Sequence, residues 1–236
     1  MRTRFHQGLD QLRQKLLTMG GMAEQAVERA VESYRRRDGE LCRLVLEGEP
    51  AINTMEREID ELALDLLAMQ QPMAVDLRFI TAVMKINADL ERVGDQAVNI
   101  VERVRHSLDL PETDLPADIP RMAGLARDMV RRALQSFIDA RPEAAEEVLK
   151  MDDLVDDMNR EIHRAMIAHM KQAPDALQQA LDALLISRNL ERVADHATNI
   201  AEDVIFWVQG SNVRHNVHPE EESQQSDRPT TRASGI

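Results

Sequence analysis

One thirteen-residue segment occurs twice in this chain of 236 residues. Leu90-Glu-Arg-Val-Gly-Asp-Gln-Ala-Val-Asn-Ile-Val-Glu102 returns 100 positions later as Leu190-Glu-Arg-Val-Ala-Asp-His-Ala-Thr-Asn-Ile-Ala-Glu202. Across positions 87–102 and 187–202, nine of sixteen residues are identical, where typical residue frequencies give about one. Self-similarity of this kind marks a chain built by doubling one structural unit, so the fold must be two related halves. The repeat preserves more than apolar positions. Each copy carries a Glu and an Asp four residues apart, with an Arg beside the Glu.

The unit that was doubled is helical. Aromatic residues make up only 3% of the chain, with nine Gly and nine Pro. The apolar content comes from Leu, Ala, Val and Met, which lose little freedom in a helix. Pro and Gly divide the chain into six segments. The first runs from Thr3 to about Arg37 with an expected break at Gly20-Gly21, and the second from about Glu40 to Ala68, closed by Gln70-Gln71-Pro72. A third spans about Val75 to His106 and a fourth about Ile119 to Ala140. A fifth runs from Pro142 to Gln172 and a sixth from Pro174 to Gln209. Apolar residues recur at steps of three and four, as in Leu90, Val93, Ala97, Ile100 and Val104 and again in Leu190, Val193, Ala197, Ile200 and Val204. Such seams pack long helices together. The predicted fold is all-α, two tandem three-helix bundles. Residues 1–110 form a first repeat, 111–120 a linker, 121–210 a second repeat and 211–236 a polar, flexible tail. The thirteen methionines read as filling for the core.

Charge narrows the function. A net charge of −13 and a pI near 5.0 argue against nucleic-acid binding, because such a surface repels phosphate backbones. No apolar run is long enough for a membrane span, and no secretory leader precedes the first helix. The single cysteine, Cys42, cannot form an internal disulfide, which suits a cytoplasmic protein. It reads as a small core side chain.

The acidic residues are ordered. At ~100° per residue, Glu91 and Asp95 lie on one face of the third helix, roughly opposite its apolar seam, with Glu102 two turns on. Glu191, Asp195 and Glu202 repeat this in the sixth. The preceding helices carry matching stripes: Glu49, Asn53, Glu56 and Asp60 in the second, Asp152, Asp156, Asn159 and His163 in the fifth. Consecutive antiparallel helices set these stripes across a groove on the outside of each bundle. Like charges four residues apart are costly, and a cation relieves them. Oxygen donors suit hard ions such as Mg, Mn, Ca or oxidised Fe, and His163 and His196 would admit Zn or Fe(II) in the second half. A solvated acidic face is the competing reading. Arg92 and Arg192 are expected to point away from both stripe and seam, toward structural ion pairs.

These residues resemble the PhoU family. The doubled Glu-Arg-Val-(Gly/Ala)-Asp elements at Glu91–Asp95 and Glu191–Asp195 are similar to its E(D)-x-x-x-D signature. So are Met19-Gly-Gly-Met22, Gln71-Pro-Met-Ala-Val-Asp-Leu-Arg78, Asn199-Ile-Ala-Glu202 and Trp207-Val-Gln-Gly210. The resemblance covers about residues 3–210. It implies two three-helix bundles, a homodimer, and surface metal clusters in some members. It also implies a role in keeping the phosphate regulon off when phosphate is plentiful, by linking the Pst phosphate transporter, through its nucleotide-binding subunit, to a PhoR-type sensor kinase. Membrane association would then be peripheral, through these partners. By position, the metal candidates are Asp152, Asp156, Glu191 and Asp195 in the second half and Glu49, Asn53, Glu91 and Asp95 in the first. Asn53 departs from the acidic pattern and weakens the first site.

Two other readings remain open. The chain carries no nucleophile–base pair, phosphate-cradling loop or dinucleotide fingerprint, which favours a non-catalytic adaptor. A carboxylate-bridged metal enzyme or metal-storage bundle is the alternative. Such centres place Glu and Glu-x-x-His inside the bundle, whereas these stripes face outward and Glu161-Ile-His163 is one residue short. A structural scaffold without regulation is the third.

Overall fold

The structure is a computed structural model that describes residues 2–69 and 72–210, with side chains from residue 4. The tail expected over 211–236 and the Gln70-Gln71 pair lie outside the described residues. Six helices follow one another: α1 (Arg2–Arg36), α2 (Gly39–Met69), α3 (Ala74–Leu108), α4 (Ile119–Asp139), α5 (Pro142–Gln172) and α6 (Leu177–Gln209). A 3₁₀ turn at Pro174–Ala176 leads into α6. No strand occurs among the described residues. The helix ends follow from local chemistry. The Asp38 side chain accepts the backbone N–H groups of Glu40 and Leu41 at the start of α2, and Asp118 accepts that of Arg121 at the start of α4. Pro142 sits in the first turn of α5, where its missing N–H costs nothing. Gly210 closes α6 in the left-handed conformation (φ 73°).

α1, α2 and α3 pack together as one bundle and α4, α5 and α6 as the other. The two are joined by α3 against α6 and α1 against α4. α3 and α6 are antiparallel, since Lys85 meets Asp203 near one end and His106 meets Asp182 near the other. Both therefore bury two faces, one toward their own bundle and one toward the other half.

The expected break at Gly20-Gly21 does not occur; α1 is continuous. A helix absorbs a glycine for about 1 kcal/mol, and here the residue has a packing role. A methyl at Gly20 would lie 2.6 Å from Leu134 Cδ1 of α4, so Gly20 lets the two halves approach. Gly21 faces open space. At the end of the junction Phe79, Phe137 and Trp207 pack with centroids 5.1–5.8 Å apart, and the Arg13 guanidinium lies 5.2–5.7 Å from all three rings. One residue from each of α1, α3, α4 and α6 thus ties the halves together.

Candidate metal centre

Leu90, Val93, Ala97 and Ile100 are buried in α3, and Leu190, Val193, Ala197 and Ile200 in α6. Glu91 and Asp95, and Glu191 and Asp195, consequently turn outward, toward the helix that precedes each in the chain. They form groove walls more than solvated ridges: the side chains of Glu91 and Asp95 keep only 17% and 33% of their exposure.

The first-half groove lies between α2 and α3. Glu49, Asn53, Glu56, Arg57 and Glu91 line an open depression of about 360 Å³. Burial pushes the Glu91 carboxyl above its ordinary range, and Asp95, Glu56 and Glu49 push it the same way. Two features offset the crowding. The Asn53 amide donates to Glu49 Oε1 at 2.5 Å, and Arg92 reaches Glu91 at 3.4 Å and Asp95 at 3.2 Å. Arg92 therefore belongs to the acidic stripe, contrary to the expectation that it points away. At one residue from Glu91 and three from Asp95, its long side chain folds back along its own helix.

The second-half groove, between α5 and α6, is more strongly anionic. Asp152 is pushed up to about 6, first by burial, then by Asp156, Asp195, Asp153 and Glu191. Burial and then Asp156 also raise Asp195, against opposing pulls from His196 and Arg192. These causes bring Asp152, Asp156, Glu191 and Asp195 within electrostatic reach of one another across the groove. Asp152 Oδ1 is buried with no hydrogen-bond partner among the described residues. Compensation is thin: Arg160 meets Asp156 at 3.5 Å but lies closer to Asp157, at 2.7 Å. At neutral pH such a groove holds repelling carboxylates that a proton or a cation relieves. Hard, oxygen-seeking ions match this donor set. As placed, no three Asp, Glu, His or Cys side chains among the described residues converge closely enough to hold an ion, so ligation requires the carboxylates to rotate inward.

His196 does not serve this groove as expected. His196 Nδ1 lies 2.9 Å from Asp89 Oδ1, which also accepts Asn199 Nδ2 at 3.1 Å. His196 is thus committed to the junction between halves. His163 Nε2 is buried without a hydrogen-bond partner among the described residues. Sequence reasoning missed the polar side of this junction: Asp89 with His196, Lys85 with the buried Asp203 (3.1 Å), and His106 with the buried Asp182 (3.1 Å). Their repeat positions carry other residues. At 185 and 103 stand Leu and Arg, so the duplicated pattern held no trace of them.

A family model described as the PhoU domain matches residues 16–104 and again 119–204. A phosphate-specific transport system accessory protein PhoU homolog from Pseudomonas putida is 36% identical over 212 residues, covering 89% of this chain and 83% of that protein. One from Caulobacter vibrioides is 35% identical over 213 residues, covering 89% and 91%. The crystal structure of PhoU from Pseudomonas aeruginosa superposes with a TM-score of 0.85 at 35% identity, covering 88% of this chain and 100% of that one. The phosphate transport system regulatory protein PhoU from Streptococcus pneumoniae superposes at 0.82 with 28% identity, covering 89% and 99%.

Proposed function

The chain belongs to the PhoU family, and from that premise we propose that it is a non-catalytic adaptor that restrains phosphate uptake and the phosphate-starvation response when phosphate is plentiful. The observation that carries this reading is that the family unit matches twice, once in each half, in a chain that spans most of the length of accessory proteins named for phosphate-specific transport. An adaptor needs surfaces that bind two partner states differently, not bond-making groups. Six long helices with polar outer faces, held rigid by the Phe79–Phe137–Trp207 cluster, offer such surfaces. One set engages the transporter's cytoplasmic nucleotide-binding subunit. Another engages a PhoR-type kinase and favours its phosphatase form. The protein works as a homodimer and meets the membrane only through these partners. No helix among the described residues is long and apolar enough to cross it.

In this reading the carboxylate grooves bind a hard divalent or trivalent ion. Asp152, Asp156, Glu191 and Asp195 hold it in the second half. Glu49, Asn53, Glu91 and Asp95 hold it more weakly in the first, where Asn53 and Arg92 already spend part of the negative charge. The orphaned Asp152 oxygen supports the stronger second site. The ion's contribution is positive charge that pins α5 to α6.

Mixing purified protein with the solubilised transporter and with the kinase's cytoplasmic portion tests the adaptor. Co-elution with both is the expected result. Recovery of neither, with or without phosphate and metal, would overturn the reading.

A further inference from the structure

α1 and α4 end alike. Arg37 and Ala140 are both left-handed (φ 53° and 51°), and Ser33 and Ser136 each donate to the carbonyl three residues back at 2.7 Å. This offset of 103, which also relates α2 to α5, sets Ile119 at the position of Leu16. α1 has 35 residues and α4 only 21, so the first turns of α1, ~20 Å of helix, have no counterpart. In the first half they cover α2: Phe5 and Leu12 are buried, Gly8 closes against Leu66, and Lys15 pairs with Glu58 at 2.5 Å. In the second half the irregular segment 109–118 takes their place. It is fastened on the α3 and α6 side, where Arg37 donates to the carbonyls of Ser107, Leu108 and Leu110 at 2.7–3.1 Å and Gln179 to that of Pro111 at 3.2 Å. The α5 side is left open as a cleft of about 580 Å³. Met158, Ile162 and Ala165 floor it, at the positions of Met55, Ile59 and Leu62 in α2, and Asp118, Arg121 and Glu161 rim it. Asp118 caps α4 beside Arg121. Glu161, at the position of Glu58, is then the unbalanced charge, with no ion-pair partner among the described residues.

We infer that this cleft is a docking site for an amphipathic helix of a partner protein, seated on α5 as the first turns of α1 are seated on α2. The first half supplies the occupant's chemistry. Leu9, Leu12 and Lys15 give two apolar residues three apart and a lysine three further on. In the cleft the apolar pair covers the α5 floor and the lysine meets Glu161. A second copy's α1 is committed elsewhere, because its Leu12 and Leu16 are fully buried in their own bundle. An anionic lipid surface finds no complement in a rim whose surplus charge is negative. The segment 109–118 is already fastened along its other edge, so docking carries little ordering cost. The inference rests on the adaptor reading for the existence of a partner and gives one partner helix its place.

The probe is a helix-stapled fluorescent peptide copying residues 5–18 of this chain, and anisotropy with the full-length protein is the readout. The expected result is binding to wild type that weakens about tenfold or more in Glu161→Lys. Glu161 is exposed, so this variant keeps its fold. A peptide carrying Lys15→Glu should show the reverse preference, binding Glu161→Lys better than wild type. Ala165→Trp fills the cleft and should abolish binding, with circular dichroism showing that the helices remain. No binding to wild type, equal binding to wild type and both variants, or a charge-swapped peptide that does not recover Glu161→Lys would overturn the inference. So would a wild-type dimer that dissociates in Ala165→Trp on sedimentation, since that gives the cleft to a second copy. The two readings fail separately. A wild-type protein that takes the peptide but neither transporter nor kinase contradicts the adaptor. An Ala165→Trp variant that co-elutes with both partners as wild type does contradicts the docking site.

Discussion

Replacing Asp152 by Asn should stabilise the metal-free protein at pH 7.5. The side chain keeps its volume and loses only its charge. Asp152 rises from an ordinary 3.8 to about 6 in the folded state, and at roughly 1.4 kcal/mol per unit that sets a ceiling of about 3 kcal/mol. The group is only half-buried in an open groove, and solvent screening brings the expected gain to about 1–2 kcal/mol. The sign follows from which state holds the proton more tightly. The folded pKa lies above the unfolded one, so folding favours the protonated form. That stabilisation is full below about pH 3.8 and is lost as pH rises through 6. At pH 7.5 the wild-type groove carries an ionised, crowded carboxylate, and Asn relieves it. Urea unfolding of chelator-treated protein at several pH values measures the difference. The advantage of Asp152→Asn should be largest at pH 7.5, shrink below pH 6 and vanish near pH 4. A neutral or destabilised variant at pH 7.5, or an advantage that does not change with pH, would refute the argument that Asp152 sits among repelling charges.

Gly21→Ala should stabilise by about 0.5–1 kcal/mol, because its face is open and only helix propensity changes. Gly20→Val should destabilise by about 1–3 kcal/mol, because it forces Leu134 aside at the α1–α4 contact; thermal unfolding reads both. Trp207→Ala should cost about 3–5 kcal/mol in denaturant titrations by emptying the centre of the aromatic cluster. Elemental analysis of protein purified with manganese, iron or zinc should show metal that the Asp156→Ala/Asp195→Ala variant loses; unchanged content would clear those two positions of ligation.

The helices were legible because each is amphipathic over many turns and its ends carry their own chemistry. Pro142, Asp118 and Gly210 act within a few residues, so the sequence displays them directly. Gly20 was misread because its reason is Leu134, more than 100 positions away. The carboxylate grooves were legible because the doubled motif repeats them, and helix periodicity alone sets Glu91 beside Asp95. Their burial was not, since it depends on how closely α2 and α5 pack. His196 looked like a ligand by adjacency to Asp195, yet one position on a helix is a turn of ~100°, enough to aim it at Asp89 in the other half. Met69 and Met73 looked like core filling, but they stand exposed, one as the last residue of α2 and the other just before α3. Contacts between the halves are not periodic and not duplicated, so Lys85, Asp89 and Asp182 left no pattern to read.

Whether this helical pair of repeats restrains the phosphate response is measured directly by a phosphate-starvation promoter fused to a reporter. In cells given ample phosphate, deleting the gene should switch the reporter on, and restoring the wild-type chain should silence it again. A reporter that stays silent in the deletion strain, with transporter and kinase intact, would contradict the account.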